Sequence, residues 1–570
     1  MSRFSGRELI FYFTSIPFPS TLTTLPSNGK EEVCRCRLHT MPAQGGVTRI
    51  AGAGGFWGDQ VMAPITLMKG ADVDYLTMDY LSEVTMSIMH KQKARDNTSG
   101  WATDLFDWLE AGGLELLKKK NTKLVTNAGG ANPGACAEAV LGLACALGWV
   151  DCQIAMVVGD DIHPRIEHLN ADGILTDLSG IEVGEAMVGK LISANAYIGA
   201  GPIGRALEQG ADIVLSGRVA DASLIVGPML HAEGWAKNAA TAELPLCSPI
   251  DSWAPMEVLH PLDIVAGWTL AGHLIECGAQ VTGGNADSWA EINDLVNLGY
   301  PIAEIAADGS SVITKPEGSG GAVTRANVAE QMLYEIGDPA SYFTPDVILD
   351  ITAVSLDEIG PDRVAVAGAR GRPRPDNLKV SSCYSDGWFA SATLLVSGPQ
   401  AIAKAKATDY ILHRRLAELE ELVIHTEFLG TGITMPKGGL ELQEDLPEVM
   451  IRWSVKSPNR TDVEIFGKSV APLVLTGPAG VSGYSARPRP RSQLRFVPLL
   501  VNRETVEARV DIPMLRTLRK ALTERRPDLE ARVFNRLQRI SENENRIITK
   551  RIAGRVLRGL ERPVGRGKVD

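Results

Sequence analysis

An imidazole, a carboxylate and a thiol fall within five residues of one another at His273, Glu276 and Cys277, followed by a Gly283-Gly284-Asn285 turn. At i, i+3 and i+4 the three side chains share one face of a helix, where they could relay a proton or attack a carbonyl. A glycine turn leaves backbone N–H groups open to an anionic or carbonyl ligand. The plainer account of the same residues is a helix that stops at glycine beside a buried cysteine.

Further polar residues follow β-rich runs. Arg49–Ala51 leads into a loop holding Gly52, Gly54, Gly55 and Gly58, and Asp74–Met78 leads into Asp79. A dinucleotide loop has a similar outline, but these glycines are spaced one residue too widely for GxGxxG. Asp79–His90 reads as a helix with Asp79 and Glu83 one turn apart, suited to acid–base work or a divalent metal. Asp79 as a cap and Glu83 as a lysine partner is the alternative. Lys123–Thr126 enters Asn127, Gly129, Gly130 and Asn132, and Asn132-Pro133 opens a helix whose N-terminus could hold an anion. Gln153–Val158 enters Asp160, Asp161 and His163, either a metal corner or a solvated acidic turn. Ile213–Ser216 enters Arg218 and Asp221, which suits a carboxylate clamp or an internal ion pair. Lys315 precedes one more glycine turn and is a candidate anion ligand.

To position these groups, strands and helices must alternate. Four β-turn-helix units predict an α/β fold: a mostly parallel sheet with helices on both faces and a cleft at its carboxyl edge. From Val347 to Val396 short alternating runs predict an α+β half. Lys404–Thr426 reads as a helix with a core-facing stripe of Leu412, Leu416, Leu419 and Leu422.

The chain has 570 residues, 45% apolar and 22% charged, with a net charge of −11. That length allows several domains, and the acidic balance argues against nucleic acid as a partner. No apolar run reaches the roughly 18–20 residues of a membrane span. Eight cysteines without a CxxC pair suit reduced thiols in a cytoplasmic protein, with a mitochondrial location as the other intracellular option. Residues 1–46 read as an extra leader without a convincing signal-peptide cleavage site, so secretion is not expected. Residues 47–490 form the main domain, with a sub-boundary near 240. Residues 491–570 form a basic tail, with 16 Lys or Arg against 8 Asp or Glu from Asp511 onward, and amphipathic segments at 515–522 and 529–540.

Taken together, these blocks resemble the acyclic terpene utilisation (AtuA) family. The matching segments are Arg49–Asp59, Asp79–Ser87, Thr126–Pro133, Ser216–Asp221, Ala271–Gly278, Thr282–Asn285, Lys315–Gly321 and Tyr334–Pro339, in order between about Val47 and Pro488. The resemblance implies a role beside catabolism of citronellol- and geraniol-type terpenes, whose intermediates are branched acyl-CoA thioesters handled by a biotin carboxylase and a hydratase. It brings no agreed reaction, cofactor or catalytic residue. Many members carry a small ferredoxin-like C-terminal domain, and the basic tail stands in its place here.

Two functions compete. The first is an enzyme acting on an acyl-CoA or related carboxylate. Arg218 and Lys315 would hold the anion, glycine turns would supply an oxyanion site, Glu83, Asp221 or Glu276 would move protons, and Cys277 would be the nucleophile. The second is a non-catalytic partner or scaffold of an acyl-CoA carboxylase. A homo-oligomer is compatible with either.

Overall fold

Strand β1, Thr48–Gly52, is buried along almost its whole length, as expected of a central strand covered on both faces. It belongs to a ten-stranded sheet in the computed structural model, which describes residues 46–511 apart from 150, 236–259, 435–445 and 507. The other strands are β2 (Tyr75–Met78), β3 (Lys123–Thr126), β4 (Ile154–Val158), β5 (Ile213–Ser216), β6 (Ile302–Ile305), β7 (Ser311–Thr314), β8 (Ser355–Gly360), β9 (Arg363–Ala367) and β10 (Arg509–Asp511). Their order is β8-β9-β7-β6-β1-β2-β3-β5-β4-β10.

Five of these strands, β1 to β5, run parallel, and the rest are antiparallel. The expected mostly parallel sheet with helices on both faces is therefore corrected to a mixed sheet. The reason is connection length. A parallel pair needs a long crossover, whereas β6–β7 and β8–β9 are joined by tight turns at Asp308-Gly309 and Pro361-Asp362, which force hairpins.

A second, curled antiparallel sheet accounts for much of the remaining chain. Its axis is the 21-residue strand Asn377–Ser397, where the residue pattern suggests only short runs. Toward its end this strand pairs with Glu448–Ser457, which pairs in turn with Val423–Leu429. Toward its start it lies between Leu191–Ala196 and Arg491–Asn502. The register shifts between Ser385 and Trp388, where Gly387 has φ +82° and bends the strand from one set of neighbours to the other. Arg491–Asn502 and β10, both beyond residue 490, are strands of the two sheets. The helix expected over Lys404–Thr426 is Ala401–Arg415, and the leucines beyond it pack on the same core. The leader, the 515–522 and 529–540 segments and the sub-boundary near 240 lie outside the described residues.

Alternation along the parallel strands sorts the core onto two faces. Ile50, Val125 and Val214 pack with Val265, Trp268 and Leu274, whereas Ala51, Leu124 and Leu215 pack with Met89 and Trp108. Four helices support the edge where the parallel strands end: α1 (Thr85–Arg95), α2 (Ser223–Ala232), α3 (Pro261–Glu276) and α4 (Arg325–Leu333). Helix α3 starts with the His260 ring accepting from the Leu262 N–H, Pro261 in the first turn and Asp263 at the positive end of the dipole. From Val265 to Ile275 every residue is buried, so this apolar helix is held by packing on all sides. Its last turn lies directly on β1: a Cβ on Gly52 would come within 2.2 Å of the Ile275 carbonyl oxygen, so only glycine fits there.

Candidate functional site

The loops after β1, β2, β3, β4 and β5 all leave the same edge of the parallel strands, the edge at which such sheets place ligands. Asp79, which follows β2, is buried. Its Oδ1 accepts the Leu81 N–H at 2.9 Å and the Asn127 Nδ2 at 2.6 Å, while Asn127 Oδ1 takes the Tyr80 N–H at 2.7 Å. Burial and the neighbouring Asp221 raise the Asp79 pKa well above the ordinary carboxylate range, against the pull of Arg218 and Asn127. Asp79 and Glu83 do reach a common neighbourhood, but not on a helix. Helix α1 begins only at Thr85, because the Asp79 and Asn127 side chains take up the N–H groups of Leu81 and Tyr80 in a turn.

Arg218 is completely buried. It donates through Nη1 to the Leu81 carbonyl at 2.6 Å and through Nη2 to the Asp221 carboxylate, and its guanidinium lies 4.2 Å from the centre of the Tyr197 ring. Burial works against its charge, yet Asp221, Tyr197 and Asp79 keep it firmly protonated. The ion pair is therefore internal, and the anion Arg218 holds is Asp221. Asp221 is itself about one-third exposed, so its carboxylate also faces outward.

Across from this turn, His273 and Glu276 form a second buried pair, with Nδ1 and Oε1 3.0 Å apart. Burial lowers the imidazole pKa, but Glu276 and the carbonyls of Met332 and Gln331 at the end of α4 outweigh it and favour the imidazolium. The negative end of the helix dipole acts in the same direction. Burial pushes Glu276 up to about 7, with His273 opposing and Asp221 and Glu335 reinforcing the rise. Asp221 thus lies within electrostatic reach of both Asp79 and Glu276, joining the two buried pairs into one site. Glu83, Glu335, Tyr197 and Tyr342 belong to the same electrostatic neighbourhood.

Hydrogen bonding inside the site is incomplete. Among the described residues, six buried side-chain nitrogen or oxygen atoms make no hydrogen bond of normal geometry. Four of these belong here: Arg218 Nε, His273 Nε2, Glu276 Oε2 and Gln331 Oε1. Buried polar atoms are ordinarily satisfied, so such a concentration marks a place where a ligand or water completes the bonding.

The profile of the acyclic terpene utilisation family (AtuA) matches residues 48–244 and 253–512, including every segment that builds this site. The chain belongs to that family. No curated protein matches it, and no solved structure does.

Other family-type motifs in the chain have structural partners. Cys277 caps α3; burial foremost, with Glu276 adding to it, drives its thiol pKa upward, opposite to what a nucleophilic thiolate needs. Gly54 accepts the Asp79 N–H on its carbonyl, and Gly55 donates to Asp59 while packing against the Cys277 backbone at a distance only glycine allows. The loop from Ala53 to Met62 intervenes before the next helix begins at Ala63, unlike a dinucleotide loop that runs straight into one. Gly129 and Gly130 pack against Ser216 and Met89, and Asn132 caps its helix while donating to the carbonyls of Asn97 and Ser99. The N–H groups of Gly283 and Gly284 bond back to Gln280 and Ala279, and Asn285 sits at φ +54° ending that turn. Lys315 donates to the Ser319 carbonyl at 2.7 Å and pairs with Asp362 at 3.1 Å, so its ammonium fastens its own glycine turn.

The supposed metal corner is a clip. Asp160 is buried, and its Oδ2 accepts the Arg218 N–H and the Asn195 Nδ2, both at 2.8 Å. Asn195 Oδ1 in turn meets His90 Nε2 at 2.9 Å. Asp161 accepts the His163 N–H, and the His163 ring bonds the Leu191 carbonyl at 3.0 Å. Among the described residues no three His, Cys, Asp or Glu side chains are grouped to hold a metal ion. Nor is any described helix long and apolar enough to cross a membrane.

Several site residues give no sequence signal. Lys379, on the long strand, lies 4.9 Å from the Tyr197 ring centre and 3.9 Å from Glu83, a pairing across nearly three hundred residues of chain. Tyr197, Gln331 and Tyr342 are equally silent. Glu335 does lie within Tyr334–Pro339, one of the segments that carry the family resemblance.

Proposed function

We propose that this protein is a proton-transfer enzyme of acyclic terpene breakdown, acting on a small carboxylic acid or its acyl-CoA thioester. The observation that carries this reading is the buried Glu276, poised near neutrality with Oε2 unpartnered and with an imidazolium locking its other oxygen. A carboxyl group with pKa near the working pH is suited to give and take a proton, and burial strengthens each electrostatic contact around it. The Arg218–Asp221 pair and Asp79 form the opposite wall. Asp79, whose carboxyl burial biases toward the protonated form, would donate a hydrogen bond to a substrate oxygen in that form, and Arg218 would stabilise negative charge developing there. In the simplest cycle a C–H bond next to the substrate carbonyl breaks, its electron pair moves onto the carbonyl oxygen as an enolate, and Glu276 receives the proton. Return of a proton to carbon restores the carbonyl. The nucleotide part of a CoA thioester would lie outside the acidic cluster, on the exposed side marked by Glu83 and Lys379.

Exchange of substrate hydrogen with solvent tests this directly. The purified protein would be incubated in D2O with free CoA, isovaleryl-CoA, other short and branched acyl-CoAs and the free acids, and deuterium uptake read by mass spectrometry. Uptake into one class that disappears in Glu276→Gln supports the reading. Absence of uptake across the whole panel, with no thermal shift on ligand addition, overturns it in favour of a non-catalytic partner of an acyl-CoA carboxylase.

A further inference from the structure

Helix α4 ends in an unexpected way. Its capping residue is Tyr334, and the next residue, Glu335, has φ +60°. This position after a helix normally carries glycine or asparagine, because a left-handed conformation brings the Cβ of any other residue against its own backbone. Here a glutamate occupies it, although Gly337 stands only two residues further on.

What the strained backbone achieves is placement. The Glu335 carboxylate shares a hydrogen bond with the Tyr334 side chain and lies within electrostatic reach of Glu83, Asp221 and His273, which come from three other parts of the chain. It is also within electrostatic reach of Glu276, whose side chain is 10% exposed and whose Oε2 has no partner. Glu335 itself is exposed to solvent. The site therefore has one shielded carboxyl at its base and one at its rim in contact with water.

We propose that Glu335 is a second acid–base residue of this site, which touches the ligand and carries protons between it and solvent. This rests on the proton-transfer reading of the same site. The proton lost from substrate carbon to Glu276 passes to Glu335 and then to water, and a solvent proton returns by the same route, so no oxidant or co-reactant is needed. Backbone strain kept at a position where glycine would relieve it is what a residue retained for function rather than stability produces.

Two variants of the full-length protein test this. Glu335→Gly is expected to raise the thermal midpoint by about 1–3 °C, since it removes the left-handed strain. Glu335→Gln should leave the midpoint within a degree and lower deuterium uptake by isovaleryl-CoA at least tenfold. A third readout needs no substrate: labelling by a water-soluble carbodiimide with glycine ethyl ester at pH 7, followed by peptide mass spectrometry. Glu335 should react several-fold faster than the exposed Glu317, because carbodiimides attack protonated carboxyls, and partial burial foremost, with Glu83 and Asp221 adding to it, favours that form. A lower midpoint in Glu335→Gly would make the carboxylate structural and overturn the proposal, as would labelling no faster than at Glu317. Normal exchange in Glu335→Gln alongside its loss in Glu276→Gln would overturn Glu335 alone. If wild-type protein shows no exchange with any compound, the proton-transfer reading fails and the proposal that rests on it fails too, whatever the midpoint and labelling show.

Discussion

Two buried polar clusters meet at Arg218, and they differ in how completely they are bonded. On one side Asp160, Asn195 and His90 form a chain of hydrogen bonds to the Arg218 backbone, and none of their atoms is among the buried ones lacking a partner. On the other side Arg218 Nε, His273 Nε2, Glu276 Oε2 and Gln331 Oε1 each make no hydrogen bond of normal geometry. A saturated network holds a shape, whereas an unsaturated one keeps bonding capacity for something else. In the sequence the two look alike, since each offers carboxylates and a histidine at short spacing.

Breaking the saturated side should have the larger effect on stability. Asp160→Ala leaves the Arg218 N–H and the Asn195 amide without an acceptor, for a loss of about 3–5 kcal/mol in denaturant unfolding. Asp160→Asn, which keeps an acceptor, should lose less than half of that. If Asp160→Ala unfolds like wild type, the contrast between the clusters disappears.

The unsaturated side should behave in reverse. Glu276→Gln is expected to change stability by less than about 1 kcal/mol at pH 7 while lowering deuterium exchange about 100-fold or more. A variant that unfolds readily but retains exchange would assign Glu276 to the framework instead.

The pH dependence of stability sharpens the same point. The Glu276 carboxyl has its folded pKa raised from 4.5 to about 7, so the folded state holds a proton that the unfolded state has released. Its stabilising contribution is complete below about pH 4.5 and is lost as pH rises to about 7. The thermal midpoint of wild type should therefore fall, relative to Glu276→Gln, across that window. Parallel profiles for the two proteins would place Glu276 in an ordinary solvated setting.

Cys277 gives the smallest expected effect. Its thiol is pushed away from ionisation, so Cys277→Ala should alter exchange less than about threefold; a complete loss would restore it as a nucleophile.

Local chemistry determined much of what is legible in the chain itself. Residues 273 and 276 had to face each other once a helix formed, because the pitch places i and i+3 together, and the loops after five strands had to share one edge once those strands ran parallel. The family blocks likewise predict membership before any coordinate is known. What the sequence alone could not settle was everything that depends on distant partners. The sheet became mixed because tight turns join β6 to β7 and β8 to β9, and the second sheet arose from a strand too long and too irregular in pattern to stand out. The Arg218 guanidinium was committed to Asp221 and Leu81, and Lys315 to its own loop, by contacts that no spacing rule contains. Lys379 and Glu83 lie nearly three hundred residues apart in the chain, so only folding decides that their charges meet. Burial decides the rest: a carboxylate at the surface and a carboxyl near neutrality are the same letter in the sequence, separated only by the water that the tertiary structure excludes.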